Sequence, residues 1–187
     1  DAVSFEDGAA VLLTGTTCWR MLFKRAGLKA GETVLIVGSG GGVNSLAIMF
    51  AKAAGATVYS LTSSKEKMDM ARKLGCEEVI NYKENPQWPV QILKITKGRG
   101  VDLVVDNVGA KTFSRSLRAV RRGGRLVTVG STTGWDIRYD NRLVFARQIS
   151  IIGSTMGGKQ DFIEAMQFMW SRGIKPVIDT VEPLKKG

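Results

Sequence analysis

Short apolar runs, each flanked by polar or glycine-rich segments, recur along the chain at a nearly fixed interval. They begin near Thr33, Thr57, Glu78, Val101, Gly124 and Gln148, at spacings of 24, 21, 23, 23 and 24 residues. The runs are rich in β-branched residues, the pattern of strands buried on both faces. Between them the apolar positions switch to helical spacing. Met68, Ala71 and Leu74 form one stripe, Trp88, Ile92 and Ile95 a second, and Phe113, Leu117 and Val120 a third; Phe162, Ala165, Met166 and Met169 follow the sixth run. Such stripes are core-facing helix surfaces. Strands alternating with helices at this interval run parallel and are joined by right-handed crossovers. The fold expected is therefore α/β, a doubly wound parallel six-stranded sheet of order 3-2-1-4-5-6 with helices on both faces.

Local signals fill in the rest. Ser4-Phe5-Glu6-Asp7 reads as a capping box, with Asp7 in the place of Glu, opening a short helix through Leu13. A second helix is expected from Thr16 to Ala26, with Gly27 just past its end. Residues 1–30 are thus a helical lead-in to one domain spanning 1–187. Gly75 and Gly123 stand where helix C-caps belong, and Pro89 sits in the first turn of its helix, where a missing N–H costs little. Residues 131–141 are polar and read as a loop, and Lys175-Pro176-Val177-Ile178 as a short extra strand.

Residues 33–52, TVLIVGSGGGVNSLAIMFAK, hold the sharpest chemical signal. A buried strand ends at Gly38, and Gly38, Ser39, Gly40, Gly41 and Gly42 form a turn almost without side chains. From Val43 the pattern is helical. Strand, glycine turn and helix in that order place free N–H groups at a helix N-terminus, an arrangement that binds a pyrophosphate. The motif is imperfect. Counted from Gly38, the third glycine of G-x-G-x-x-G falls on Val43, or on Asn44 if read one residue later. The alternative is a tight turn without a ligand; the surrounding strand–helix repeat favours a dinucleotide.

Composition narrows the classes. The chain has 187 residues, a net charge of +10, no histidine and two cysteines, Cys18 and Cys76. Lacking histidine, it has no imidazole for acid–base work or metal ligation. The cysteines read as reduced, partly buried thiols of a cytoplasmic protein. No apolar run reaches the ~18 residues of a membrane span, so no membrane partner is expected. The start of the chain lacks both a signal-peptide pattern and an initiator Met, and reads as part of a longer protein. The positive charge is scattered without a basic tract or an aromatic ladder, which disfavours nucleic acid.

The second strand, Thr57-Val58-Tyr59-Ser60-Leu61, runs into Thr62-Ser63-Ser64-Lys65-Glu66-Lys67. An NAD-specific sheet usually ends this strand on Asp or Glu. Here hydroxyls and cations follow, which suits a ribose 2′-phosphate and favours NADP(H) over NAD(H). Ser63 or Ser64 also serves as a helix cap, and Glu66 is expected to face solvent.

Several segments together resemble one family. They include Thr16-Thr17-Cys18-Trp19-Arg20-Met21-Leu22, Gly31-Glu32-Thr33-Val34-Leu35, Gly41-Gly42-Val43, Leu74-Gly75-Cys76, Val79-Ile80-Asn81-Tyr82, Gly98-Arg99-Gly100-Val101-Asp102, Gly123-Gly124-Arg125-Leu126 and Ile152-Gly153-Ser154. Over nearly its whole length the chain resembles the Rossmann cofactor domain of medium-chain dehydrogenases/reductases, in the zinc-type alcohol dehydrogenase-like and quinone oxidoreductase branch. The resemblance implies a catalytic GroES-like domain elsewhere. It implies pyrophosphate contacts at Ser39 to Val43, with Asn44 in the third-glycine place and expected to weaken binding. By the same resemblance, 2′-phosphate contacts fall on Ser63, Lys67 and Tyr82, and adenosine or ribose contacts on Asn107 and Val108. Gly130, Ser131, Gly153 and Ser154 would line the nicotinamide, and Thr17 would touch it from the N-terminal helix. Zinc-dependent members carry a cysteine where this chain has Leu13, so no catalytic or metal-binding residue is assigned here.

The function expected is the NADP(H)-binding part of an oxidoreductase that moves hydride between nicotinamide and a carbonyl or activated alkene, with little turnover by this chain alone. A complete short-chain dehydrogenase is excluded, because no Tyr is followed four residues later by Lys. A non-catalytic dinucleotide-binding or sheet-edge module is the alternative. The sixth strand, residues 148–152, carries three isoleucines and no charge, and is expected to form a homodimer edge to edge, a mode that the resemblance also implies.

Overall fold

The computed structural model describes residues 3–186. Six strands make one parallel sheet: β1 (Thr33–Val37), β2 (Thr57–Thr62), β3 (Glu78–Asn81), β4 (Val101–Asp106), β5 (Val120–Thr128) and β6 (Ser150–Gly153). Their order is β3-β2-β1-β4-β5-β6, as the periodicity predicts. Alternation along β1 sets the two layers. Val34 and Ile36 join a core beneath α1 (Phe5–Trp19), α2 (Gly42–Ala53), α3 (Lys65–Lys73) and α7 (Lys159–Ser171). Leu35 and Val37 join the opposite core with Trp88 and Ile92 of α4 (Trp88–Ile95) and Phe113 and Leu117 of α5 (Phe113–Ala119), and Leu143 and Val144 of the short α6 (Arg142–Phe145) pack against it. The chain reverses its winding at β1, so the crevice between the C-terminal ends of β1 and β4 is the sheet's switch point.

Four local expectations fail, each for a physical reason. The two lead-in helices are one: α1 runs unbroken into a π-helical turn, Arg20–Arg25, in which the Ala26 amide reaches back five residues to the Met21 carbonyl at 3.0 Å. The expected gap between Leu13 and Thr16 would leave Thr14 outside a helix and part it from Thr16 and Thr17. Instead their hydroxyls donate to the carbonyls of Ala10, Leu12 and Leu13 within the helix. Gly15 admits α7, since a Cβ there would lie 3.1 Å from Met166 Cε. Gly27, at φ +59, does stand just past the end.

Gly123 is not a helix cap. Helix α5 stops at Ala119, Val120 is already the first residue of β5, and Gly123 (φ +67) lies in a bulge. There β5 advances from Val120 to Arg125 while β4 advances only from Val101 to Leu103. The sixth strand begins at Ser150, because Gln148 takes φ +56. Residues 175–178 form no strand. Ile178, Thr180 and Val181 instead border a groove with Phe5, Ala9 and Ala10 of α1, where no strand edge is offered. Both cysteines are buried, Cys18 wholly and Cys76 with 7% of its surface exposed.

Candidate functional site

The crevice is built around the turn after β1. Gly38 takes φ +88, which a side chain would strain, and Gly41 opens α2 without a side-chain cap. The amides of Gly42, Val43 and Asn44 find no partner among the described residues; the first paired amide is that of Ser45, on the Gly41 carbonyl at 2.9 Å. Ser39 lies inside the turn, only 2% exposed, and its hydroxyl has no partner. Helix α1 packs against this turn. A Cβ on Gly42 would lie 3.3 Å from Thr14 Cγ2, and the Cys18 thiol donates to the Val43 carbonyl at 2.9 Å. Burial pushes that thiol well above its ordinary pKa. Thr14 and Cys18 were not read from the sequence as part of the site, although their i,i+4 spacing puts them on one helix face.

Asn44 does not crowd the turn. Its Nδ2 donates to the carbonyls of Val37 (3.0 Å) and Gly38 (2.7 Å), and its Oδ1 accepts from Asn107 Nδ2 (3.0 Å). Asn107 Oδ1 accepts in turn from the Val129 amide at 2.8 Å. The C-terminal ends of β1, β4 and β5 are joined by this chain of hydrogen bonds. Beneath it the buried Asp106 carboxylate accepts from the amides of Val108 and Gly109 and from the hydroxyls of Thr112 and Ser116, which fixes the turn into α5.

On the β2–β3 side, Thr62 is buried and Ser63 half-buried, and Ser64 caps α3 by accepting from the Lys67 amide. Glu66 faces solvent. The Tyr82 amide donates to the Thr62 carbonyl at 3.0 Å, so Tyr82, 42% exposed, stands beside the end of β2. Lys67 crosses to the glycine turn: a Cβ on Gly40 would lie 3.4 Å from its Nζ. Ser63, Lys67, Tyr82 and the glycine turn therefore share one end of the crevice.

The other end is assembled from β5, β6 and α1. Val108 accepts from the amide and hydroxyl of Thr133, which folds residues 131–134 back over the turn after β4. The Ser131 hydroxyl is committed to the Gly134 carbonyl, whereas Gly130 is exposed. The Ser154 amide donates to the Thr128 carbonyl at 2.9 Å, leaving the Ser154 hydroxyl buried and unpartnered. The Gly153 carbonyl accepts from Arg25 Nε at 2.9 Å. Thr17 is buried, with its hydroxyl turned back to Leu13.

The chain and its fold have relatives among known proteins. A family profile described as "Zinc-binding dehydrogenase" matches residues 42–171. The chain is 34% identical to a crotonyl-CoA reductase of Streptomyces avermitilis over 203 aligned residues, covering 99% of this chain and 46% of that protein. It superposes on a crystal structure of an NAD-dependent alcohol dehydrogenase with a TM-score of 0.88 at 38% identity, covering 94% of this chain and 51% of the other. On the 2-octenoyl-CoA carboxylase reductase CinF in complex with NADP and 2-octenoyl-CoA, the TM-score is 0.81 at 32% identity, covering 89% and 42%. The chain spans about half the length of the curated relatives it matches. With the profile covering most of its length, the chain belongs to the zinc-binding dehydrogenases, medium-chain NAD(P)-dependent oxidoreductases, and carries their cofactor-binding domain.

Proposed function

We propose that this chain binds NADP(H) in preference to NAD(H), as the cofactor half of an oxidoreductase acting on a carbonyl or activated alkene. One observation carries the preference: β2 ends on Thr62 and Ser63 rather than on an acid, and Lys67 lies between that end and the glycine turn. The residues fit a dinucleotide. Ser39 and Ser154 each hold a buried hydroxyl without a partner, one toward each end of the crevice. Gly38, Ser39, Gly40, Gly41, Gly42 and Val43 would hold the pyrophosphate, and Ser63, Lys67 and Tyr82 the 2′-phosphate. Asn107 and Val108 would border the ribose, while Thr17, Gly130, Ser131, Gly153 and Ser154 would surround the nicotinamide. For Ser131 that role passes to the backbone, since its hydroxyl is already bonded.

When bound, the nicotinamide supplies or accepts the hydride. The groups of this chain bind and orient it. With no histidine in the sequence, substrate activation is assigned to parts of the longer relatives outside the aligned half, and this chain alone is proposed to bind without turnover. A homodimer through β6 and a cytoplasmic location belong to the same proposal; among the described residues no helix is long and apolar enough to cross a membrane. The likeness to an NAD-dependent alcohol dehydrogenase favours a second reading, in which NADH binds equally well.

Nicotinamide fluorescence titration of both cofactors separates the two. The expected result is tighter NADPH binding, which Lys67→Ala weakens by about 1–3 kcal/mol while NADH changes little. Equal affinities in the unmodified chain would establish the second reading, and binding of neither cofactor would overturn both.

A further inference from the structure

We propose that Asn44 and Asn107 are a positioning pair that holds the pyrophosphate turn in its binding shape and ties it to the loops after β4 and β5. The proposal rests on the dinucleotide reading above; it gives a task to Asn44, whose side chain that reading does not use as a ligand, and a second task to Asn107, which that reading sets beside the ribose. Asn44 stands where the glycine motif expects its third glycine, at the closest approach of α2 to β1. Glycine would leave that gap empty. Asparagine fills it with hydrogen bonds: both amide hydrogens are spent, on the carbonyls of Val37 and Gly38. Gly38 is the residue at φ +88, so the bond to its carbonyl holds the one peptide of the turn whose conformation is otherwise uncommon.

The orientation of each amide is fixed by its neighbours. Reversing Asn44 would set its oxygen against two carbonyls, and reversing Asn107 would set its NH2 against the Val129 N–H. The series Val129 N–H, Asn107, Asn44, Gly38 carbonyl therefore has one donor–acceptor sense, running across the switch point from β5 through β4 to β1. Both side chains lie half-buried at the C-terminal rim rather than in either apolar core. Asn44 directly precedes the first paired amide of α2, that of Ser45, and its own amide is one of the three free donors of the turn. The same residue thus fixes the turn on one side and offers a donor on the other. Preorganised donors bind an anion without first having to be ordered, which is where the affinity would come from.

The test compares NADPH with adenosine 2′-monophosphate, which lacks the pyrophosphate, by calorimetric titration of the 187-residue chain and of Asn44→Ala, Asn107→Ala, the double variant and Asn107→Asp. Asn107→Asp keeps an acceptor for the Val129 amide but cannot donate to Asn44, and because it also adds a negative charge near the turn its result is read beside that of the neutral Asn107→Ala. Each single change, Asn107→Asp included, is expected to weaken NADPH about tenfold. For Asn44→Ala, whose side chain the dinucleotide reading does not use as a ligand, adenosine 2′-monophosphate should stay within about twofold. The double variant should lose no more than the worse single one, because the two side chains act as one unit. NADPH binding unchanged in folded Asn107→Asp would overturn the pair, as would equal loss of both ligands in Asn44→Ala or additive losses in the double variant. If the unmodified chain binds no NADPH, the dinucleotide reading itself fails and the positioning pair fails with it.

Discussion

The thiol of Cys18, wholly buried on α1, donates to the carbonyl of Val43 in the first turn of α2 at 2.9 Å. That contact fastens the lead-in helix to the element whose free amides face the crevice. Nearby, Thr14 packs on Gly42, so α1 abuts the turn through two residues one helical turn apart. At the far end of α1, its π-helical extension is tied to α7: Arg20 pairs with Asp161 at 2.9 Å, and Lys24 and the Trp19 indole share Glu164. Bonds from Lys24, Gln160 and Trp19 hold the Glu164 carboxyl down to a pKa of about 2. A helix fixed at both ends in this way defines one wall of the crevice before any ligand arrives.

Neither cysteine should react in the folded protein. Burial raises both thiols, Cys76 to about 12 despite the nearby Lys52, so almost no thiolate exists at neutral pH. Titration with a chromogenic disulfide at pH 8 should find no fast-reacting thiol in the native chain and two in denaturant. A fast stoichiometric reaction without denaturant would contradict this. Cys18→Ala should cost about 1–2 kcal/mol in urea unfolding, through the lost hydrogen bond and the small void.

Acid should unfold the protein partly through Asp102. Its burial alone would raise the pKa, but bonds from Arg99, the Thr33 amide, Arg121 and the Thr33 hydroxyl outweigh burial and hold it far below the usual carboxylate range. A carboxyl depressed in the folded state stabilises fully above its unfolded pKa, near 3.9, and that stability is lost as pH falls through the folded value. Urea midpoints should therefore be level near neutrality and decline below about pH 5. Asp102→Asn should cost about 3 kcal/mol at pH 7, because it leaves two guanidinium groups without their partner. It should also flatten the acid decline. An unchanged acid slope in that variant would show that other carboxylates govern it.

Gly109→Ala should be among the most damaging single changes near the site. Gly109 takes φ +87, and a Cβ there would press on the Ser131 side chain and come within 2.8 Å of the Gly134 carbonyl. Left-handed strain and overpacking together amount to about 3 kcal/mol or more. Thermal unfolding with and without NADPH should show both a lower midpoint and a smaller ligand-induced rise, since residues 131–134 fold over the crevice. A midpoint within 2 or 3 °C of the unmodified protein, roughly 1 kcal/mol for a chain of this size, would mean the loop shifts freely.

The strands and their order were legible because a parallel sheet buried on both faces writes itself as near-continuous apolar runs at a fixed interval. The glycine turn was legible because its chemistry is local. The hydrogen bonds of Asn44 are not legible for the opposite reason: its partner Asn107 is 63 residues away in sequence, and nothing near Asn44 announces it. Helix α1 was split in two because threonine and glycine lower helix propensity, yet those small residues are what let α2 and α7 approach. Residues 175–178 have strand-like side chains but no free partner beside them, and β-propensity without a neighbouring edge yields no strand.

The proposed dimer makes the last test. Strand β6 pairs with β5 alone among the described residues, and Ile151 on it is 39% exposed. Arg147, which could have guarded that edge with its charge, is turned inward, donating to the carbonyls of Arg118 and Val120. Ile178, Thr180 and Val181 lie against α1 rather than over this edge. Arg25 reaches it at the Gly153 carbonyl. An edge strand without charge or proline is a template for its own copy, and a two-fold pairing would set β6 antiparallel to β6. Light scattering should give a dimer for the unmodified chain, shifted toward monomer by Ile151→Pro, which removes a ladder donor. Ile151→Lys should act in the same direction through charge while leaving the backbone donor in place. A chain that stays monomeric at high micromolar concentration would rule the dimer out, and an Ile151→Lys variant as dimeric as the original would place the contact elsewhere.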